Sequence, residues 1–270
     1  MPNEYLMENQ DEICRLEMKT DSDIVKNQAL WAGLQPGMRV ADIGCGSGKT
    51  TAILHTIVCP DGSAIGIDSS TERIRFSREQ YGNKGIEFFC RDIRSPLDDI
   101  GSFDFIWVRF FLEYYRTDAL EVLNNIGKIL KPGGILCLVD LDFNSTCHYG
   151  LTPKMENALL QIIKLLQIKS NFDPYVGRKL YSFLYDMSFE KINVDIAPYN
   201  LIFGDLSGKD SYNWNKKIEI LKEVSRTHGL RLKGYEGGIE QFCDEFMEFF
   251  SSKRRFTYTP LIMCRGEKPK

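Results

Sequence analysis

Histidine is scarce in this chain of 270 residues: His55, His148 and His228 lie far apart. That argues against a histidine-rich metal centre. None of the eight cysteines (Cys14, Cys45, Cys59, Cys90, Cys137, Cys147, Cys243 and Cys264) forms a C-x-x-C pair, so no metal site is expected. Several lie inside apolar, strand-like runs, which suits buried thiols in a reducing cytoplasm better than a disulfide framework. Positive charge is not in excess. The net charge is −3 and the pI about 5.8, whereas nucleic-acid binders usually carry a basic surface. An RNA or DNA partner is therefore not expected. No apolar run reaches the length of a membrane span, and residues 1–9 lack the charged start and apolar core of a secretory signal. Internal repeats, low-complexity tracts and Gly/Ser/Pro linkers are missing too, so residues 1–270 are expected to form a single domain.

What is present centres on residues 39–51. An apolar run, Val40 to Ile43, carries Asp42 and breaks into Gly44, Gly46 and Gly48, with a helix-compatible segment from Lys49. This reads as a buried strand, a tight turn and a helix N-terminus. Glycine is needed where φ is positive or where a ligand must approach the backbone. The turn is thus expected to offer main-chain N–H groups and a helix dipole to a ligand. The dinucleotide fingerprint G-x-G-x-x-G would need glycine where Lys49 stands. The phosphate-binding G-x-x-x-x-G-K-[ST] would need glycine where Ile43 stands. The spacing Asp-x-Gly-x-Gly-x-Gly fits Asp42, Gly44, Gly46 and Gly48 without a mismatch.

Further strands are expected at Ala64–Asp68, Ile86–Cys90, Phe103–Val108 and Ile135–Asp140, with helices between them. Such alternation predicts an α/β fold, a doubly wound sheet of seven mostly parallel strands. Three parts are expected: a helical segment over residues 1–33, a sheet half over 34–145, and late helices with the last two strands over 146–270. Lys131 to Gly134 is expected to be a turn. After residue 141 the pattern predicts helices at 153–169, 175–187, 211–228 and 239–252. Strands are predicted at 191–197 and 255–264. In such sheets ligands bind at the carboxyl ends of the strands, near the point where strand order reverses.

Acids stand at those ends. Asp68 closes the second strand, where a carboxylate can accept ribose hydroxyls. Asp92 follows the third strand, and Arg109 follows the fourth. The order glycine turn, acid, Arg91-Asp92-Ile93, Phe103-Asp104-Phe105-Ile106, Leu130-Lys131-Pro132-Gly133-Gly134 resembles the class I S-adenosylmethionine-dependent methyltransferases over roughly residues 35–145. The resemblance implies a Rossmann-like fold and S-adenosyl-L-methionine as cofactor, with S-adenosyl-L-homocysteine as product. It implies that Asp42, Gly44, Cys45, Gly46 and Gly48 face the methionine and ribose. Asp68 and Ser69 would hold the ribose, Asp92 and Ile93 the adenine. Arg109 would border the methionine end, and Tyr5 and Arg15 from the N-terminal helix would approach the carboxylate.

Methyl transfer from a sulfonium needs chiefly alignment and water exclusion, with a base only if the nucleophile arrives protonated. An aromatic acceptor wall is expected from Phe110, Tyr114, Phe143, His148, Tyr149, Tyr175, Tyr181, Tyr199 and Trp214. His148 with Tyr149 is the first candidate for a base. The expected activity is methyl transfer to an O, N or C atom of a small molecule. The alternatives are a protein methyltransferase and a non-catalytic S-adenosylmethionine-binding protein.

Overall fold

A computed structural model describes residues 10–270. Two helices come first, α1 (Gln10–Lys19) and α2 (Ser22–Trp31), then the strand β1 (Arg39–Ile43). There follow α3 (Lys49–Val58), β2 (Ser63–Asp68), α4 (Thr71–Tyr81), β3 (Glu87–Cys90), β4 (Phe103–Arg109), α5 (Ala119–Lys128) and β5 (Leu130–Leu141). The second half holds β6 (His148–Tyr149), α6 (Pro153–Lys169), α7 (Leu180–Asp186), β7 (Glu190–Phe203), α8 (Gly208–Thr227), α9 (Gly238–Ser251) and β8 (Phe256–Glu267).

The sheet runs β3-β2-β1-β4-β5-β8, and β7 pairs with the far side of β8. That gives the expected seven strands across. β1 to β5 are parallel, and β8 is antiparallel to both β5 and β7. The eighth strand, β6, is two residues long and pairs with β8 at Phe256 and Thr257. Strand order reverses between β1 and β4, so their carboxyl ends splay apart and leave a crevice above Ile43 and Arg109.

Side-chain alternation along each strand divides the core. Ala41, Ile43, Ile106 and Val108 pack toward α5 and α7, whereas Val40, Phe105 and Trp107 pack toward α2 and α3. A further core belongs to α6, α8 and α9, where Ile162, Trp214, Ile218, Phe242, Phe246 and Phe250 are buried together. Ile202 of β7 ties this group to the sheet. The three helices stand beside the crevice as a cap.

Several expected boundaries move for identifiable reasons. The N-terminal helix is broken at Asp21, whose carboxylate accepts from the N–H groups of Asp23 and Ile24 and so starts α2 afresh. Lys131 to Gly134 is not a free turn. It lies within β5 as a bulge, because Leu130 pairs with Phe103 and Ile135 with Phe105. The strand expected at 191–197 continues to Phe203 through Pro198, which the sheet tolerates because β7 pairs only with β8.

Candidate functional site

Gly44, Gly46 and Gly48 have φ of 71°, 56° and 85°, the left-handed region that strains any side chain. Their N–H groups, however, are already engaged. Gly44 and Cys45 donate to the Ile67 carbonyl at 2.8 and 3.0 Å, Gly46 donates to Asp68 Oδ2 at 3.0 Å, and Gly48 donates to the Cys45 carbonyl. These N–H groups therefore do not serve as the ligand donors that the sequence suggested. What the first two glycines provide is space. A Cβ on Gly44 would enter the ring of Phe111, and one on Gly46 would sit 2.9 Å from Leu16 Cδ1 of α1. Gly48 differs, since its Cβ would meet Ser77 and Phe88. It lets α4 and β3 pack and does not line the cavity.

Above the turn lies a cavity lined by Arg15, Asp42, Gly44, Cys45, Gly46, Asp68, Ser69, Asp92, Ile93 and Arg109. Thus ten of the positions singled out from sequence converge, although they come from five separate stretches of chain. Tyr5 lies outside the described residues. Asp68 is buried and more committed than expected: Oδ1 accepts from Ser70 N–H at 2.9 Å and from the Arg73 guanidinium at 3.0 Å, while Oδ2 accepts from Gly46. A carboxylate has about four lone-pair sites, so Oδ2 retains acceptor capacity toward the cavity. Asp92 is exposed at the rim, and its Oδ1 caps the Arg94 N–H.

Asp42 is buried, and its Oδ2 accepts from Thr51 Oγ1 at 2.7 Å. Burial raises its pKa from 3.8 to about 7, against the lowering effects of Thr51 and of Arg109. The folded chain therefore holds this proton across a range where the unfolded chain has released it. The stabilisation is full below pH 3.8 and is lost as pH rises toward about 7. Asp42→Asn should flatten that part of a stability–pH curve recorded by chemical denaturation. An unchanged slope between these two values would show that Asp42 ionises freely.

Arg109 stacks on Phe110, with its guanidinium carbon 4.1 Å from the ring centroid, and its buried Nε has no hydrogen-bond partner among the described residues. Burial lowers its pKa, with Tyr199, Asp42 and Asp140 opposing. Asp140, absent from the sequence-based set, shapes this corner. Its Oδ2 accepts from the N–H groups of Phe111 and Leu112, and its Oδ1 from Leu141. It thereby fixes the segment that carries Phe110 and Phe111 over the crevice. Burial, then the neighbouring Glu113, pushes its carboxyl well above the ordinary range.

A second cavity of about 400 Å³ adjoins the first. The two share Arg15, Lys19, Glu113 and Tyr114 as a common wall. Its apolar part comes from the cap, including Ile162, Trp214, Ile218 and Phe246. Of the expected aromatic wall, Tyr114, Tyr199 and Trp214 line it, and Phe110 lines the first cavity. Phe143, Tyr149 and Tyr181 are instead exposed, and Tyr175 lines neither cavity. Lys19 and Lys217 also line the second cavity and were not singled out, because charged residues of α1 and α8 look like solvated helix faces in sequence.

The expectation of a base at His148 with Tyr149 is corrected by the packing. His148 contacts the rings of Trp214, Phe246, Phe249 and Phe250, and both its ring nitrogens have partners, Thr257 Oγ1 at 2.8 Å and the Ser145 carbonyl at 3.1 Å. Neither residue lines either cavity. Burial lowers the His148 pKa to about 4. It is a pin between β8 and the cap.

Residues 41–138 match the family described as "Methyltransferase domain". An uncharacterized 37.1 kDa protein of transposon TN4556 from Streptomyces fradiae is 32% identical over 178 residues, 65% of this chain and 50% of that protein. The chain thus spans about half the length of that relative. Protein 235L of Invertebrate iridescent virus 6, which carries a methyltransferase name, is 29% identical over 232 residues, 84% of this chain and 82% of that protein. Among solved structures, a cyclopropane-fatty-acyl-phospholipid synthase-like protein from Lactobacillus casei superposes with a TM-score of 0.62. It is 14% identical, and the match covers 91% of this chain and 90% of that one. A phosphoethanolamine N-methyltransferase 2 from Haemonchus contortus, in complex with S-adenosyl-L-methionine, gives a TM-score of 0.54 at 14% identity. That match covers 92% of this chain and 53% of that one. At these identities the superpositions establish the fold.

Proposed function

We propose that this chain, whose residues 41–138 match the methyltransferase-domain family, is a class I S-adenosylmethionine-dependent enzyme that transfers a methyl group from S-adenosyl-L-methionine to a small, largely apolar acceptor. The cofactor's chemistry fits the first cavity. Its ribose hydroxyls and adenine amino group are donors, and Asp68 and Asp92 stand at strand ends with acceptor capacity. Its carboxylate needs a cation, and Arg15, Lys19 and the incompletely bonded Arg109 lie on the same side of the cavity. Gly44 and Gly46 leave the space that a side chain would take.

When bound, the cofactor supplies a methyl group already activated by its positive sulfur. The protein's task is then alignment and exclusion of water. Phe110, Phe111 and Tyr114 close the cavity from above β4, and α1 covers it with Leu16 and Arg15. Glu113 and Lys19 stand where the two cavities meet, the place from which an acceptor atom would approach. Alignment in such a wall can lower the barrier by several kcal/mol, up to about 7–11 in the most favourable cases.

The observation that carries the small-molecule reading is the second cavity, roofed by the cap and adjoining the first. A macromolecular acceptor would require an open face, and RNA a basic one. Among the described residues no metal-binding cluster is found, and no helix is long and apolar enough to cross a membrane. All eight cysteines are free, which supports a reducing, cytoplasmic setting. Incubation with labelled S-adenosyl-L-methionine and a cell extract should place the label in a small-molecule fraction. Label found mainly in polypeptide or RNA would overturn the small-acceptor reading, and no transfer to any fraction would favour a non-catalytic binding protein.

A further inference from the structure

The second cavity is apolar along the cap but not at its mouth. Lys19 ends α1 with its Nζ 4.4 Å from the Phe110 ring centroid and 5.5 Å from that of Tyr199, and it forms no ion pair among the described residues. Lys217, on α8, reaches Ser145 Oγ at 2.8 Å and Asn144 Oδ1 at 3.5 Å, both neutral acceptors. Both lysines line the cavity. The acids around it are otherwise engaged. Glu113 accepts from Asn144 Nδ2 at 2.6 Å, Asp21 caps α2, and Asp210 accepts from Ser207. Two half-buried lysines thus face an apolar chamber with one carboxylate, Glu113, shared between them.

We propose that this cavity takes an amphiphile: an apolar carbon skeleton under α6, α8 and α9, carrying an anionic oxygen that seats against Lys19 and Lys217. The proposal rests on the methyltransferase reading for calling this ligand the acceptor, but the binding site itself stands on the cavity. The anionic oxygen is a carboxylate or an ionised phenol or enol, since each presents charged oxygen to an ammonium group at the end of an apolar body. A cationic headgroup is disfavoured, because it would meet two lysines against the one carboxylate, Glu113, that acts on both. Burial, together with neighbouring cations and against the opposing charge of Glu113, lowers both lysines to about 7. A bound anion would reverse that crowding by restoring a counter-charge.

The test is calorimetric titration of the full chain with decanoate, decanol, decylamine and para-hexylphenol, with and without S-adenosyl-L-homocysteine. Decanoate, or para-hexylphenol bound as the phenolate seen by its ultraviolet absorption, should bind about tenfold or more tighter than decanol and decylamine. Which of the two does so identifies the headgroup. Lys217→Met should erase that preference while decanol binding and S-adenosyl-L-homocysteine affinity stay within about twofold, and Lys217→Arg should restore it in part. The amine binding as tightly as the anions, or a preference unchanged in Lys217→Met, would overturn the proposal. Failure of S-adenosyl-L-homocysteine to bind would instead count against the proposed function, and the titrations run without it would still decide this site.

Discussion

Asp68→Ala is expected to weaken the fold as well as the cofactor site. The side chain holds three partners together: the Gly46 N–H of the glycine turn, the Ser70 N–H that starts α4, and the Arg73 guanidinium. Both members of the ion pair are more than nine-tenths buried, with side-chain exposures of 7% and 8%. Removing the acid breaks a buried ion pair, a loss of about 3–5 kcal/mol. The Gly46 N–H loses its acceptor as well. Chemical denaturation should therefore show a lowered midpoint, and calorimetry an affinity for S-adenosyl-L-homocysteine reduced about tenfold or more. Asp68→Asn keeps the volume and an acceptor oxygen, so it should fall between the two. An unchanged midpoint in Asp68→Ala would show that Arg73 and the turn find other partners.

Gly46→Val should remove cofactor binding by a different route. At a φ of 56° a β-branched residue is strained by roughly 1–2 kcal/mol, and its Cβ would press on Leu16, which covers the cavity. Gly44→Val would drive into Phe111. Both variants should lose affinity about a hundredfold or more, equivalent to roughly 3 kcal/mol. Gly37 provides the control. Its φ is also positive, 84°, but a Cβ there meets nothing within 4 Å. Gly37→Val should therefore show the strain in its denaturation midpoint and leave binding unchanged. Equal loss of binding in all three would mean that backbone strain, not occupied space, is responsible.

The sheet and the first cavity were legible because their signals are local. A strand with Asp42 inside it, three glycines at alternate positions and acids at successive strand ends are each visible within a few residues. The topology then places those ends side by side. What was not legible depends on contacts distant in sequence. The N–H groups of Gly44 and Gly46 are consumed by Ile67 and Asp68, more than twenty residues further on. His148 looked reactive as the isolated His beside a Tyr, yet Thr257 and four rings of the cap enclose it. Lys19 and Lys217 meet at one cavity from helices whose surface charge is otherwise ordinary. Gly48 shares the motif's spacing but serves packing, because the chain has already turned into α3 when it is reached.

The central claim is that the crevice between β1 and β4 is an S-adenosyl-L-methionine site. Calorimetric titration of the purified chain with S-adenosyl-L-homocysteine, ATP–Mg²⁺ and NAD tests it most directly. The glycine spacing and the acids at the strand ends lead to saturable one-to-one binding of S-adenosyl-L-homocysteine, with ATP–Mg²⁺ and NAD weaker by about a hundredfold. Tighter binding of ATP–Mg²⁺, or no binding of S-adenosyl-L-homocysteine, would contradict it.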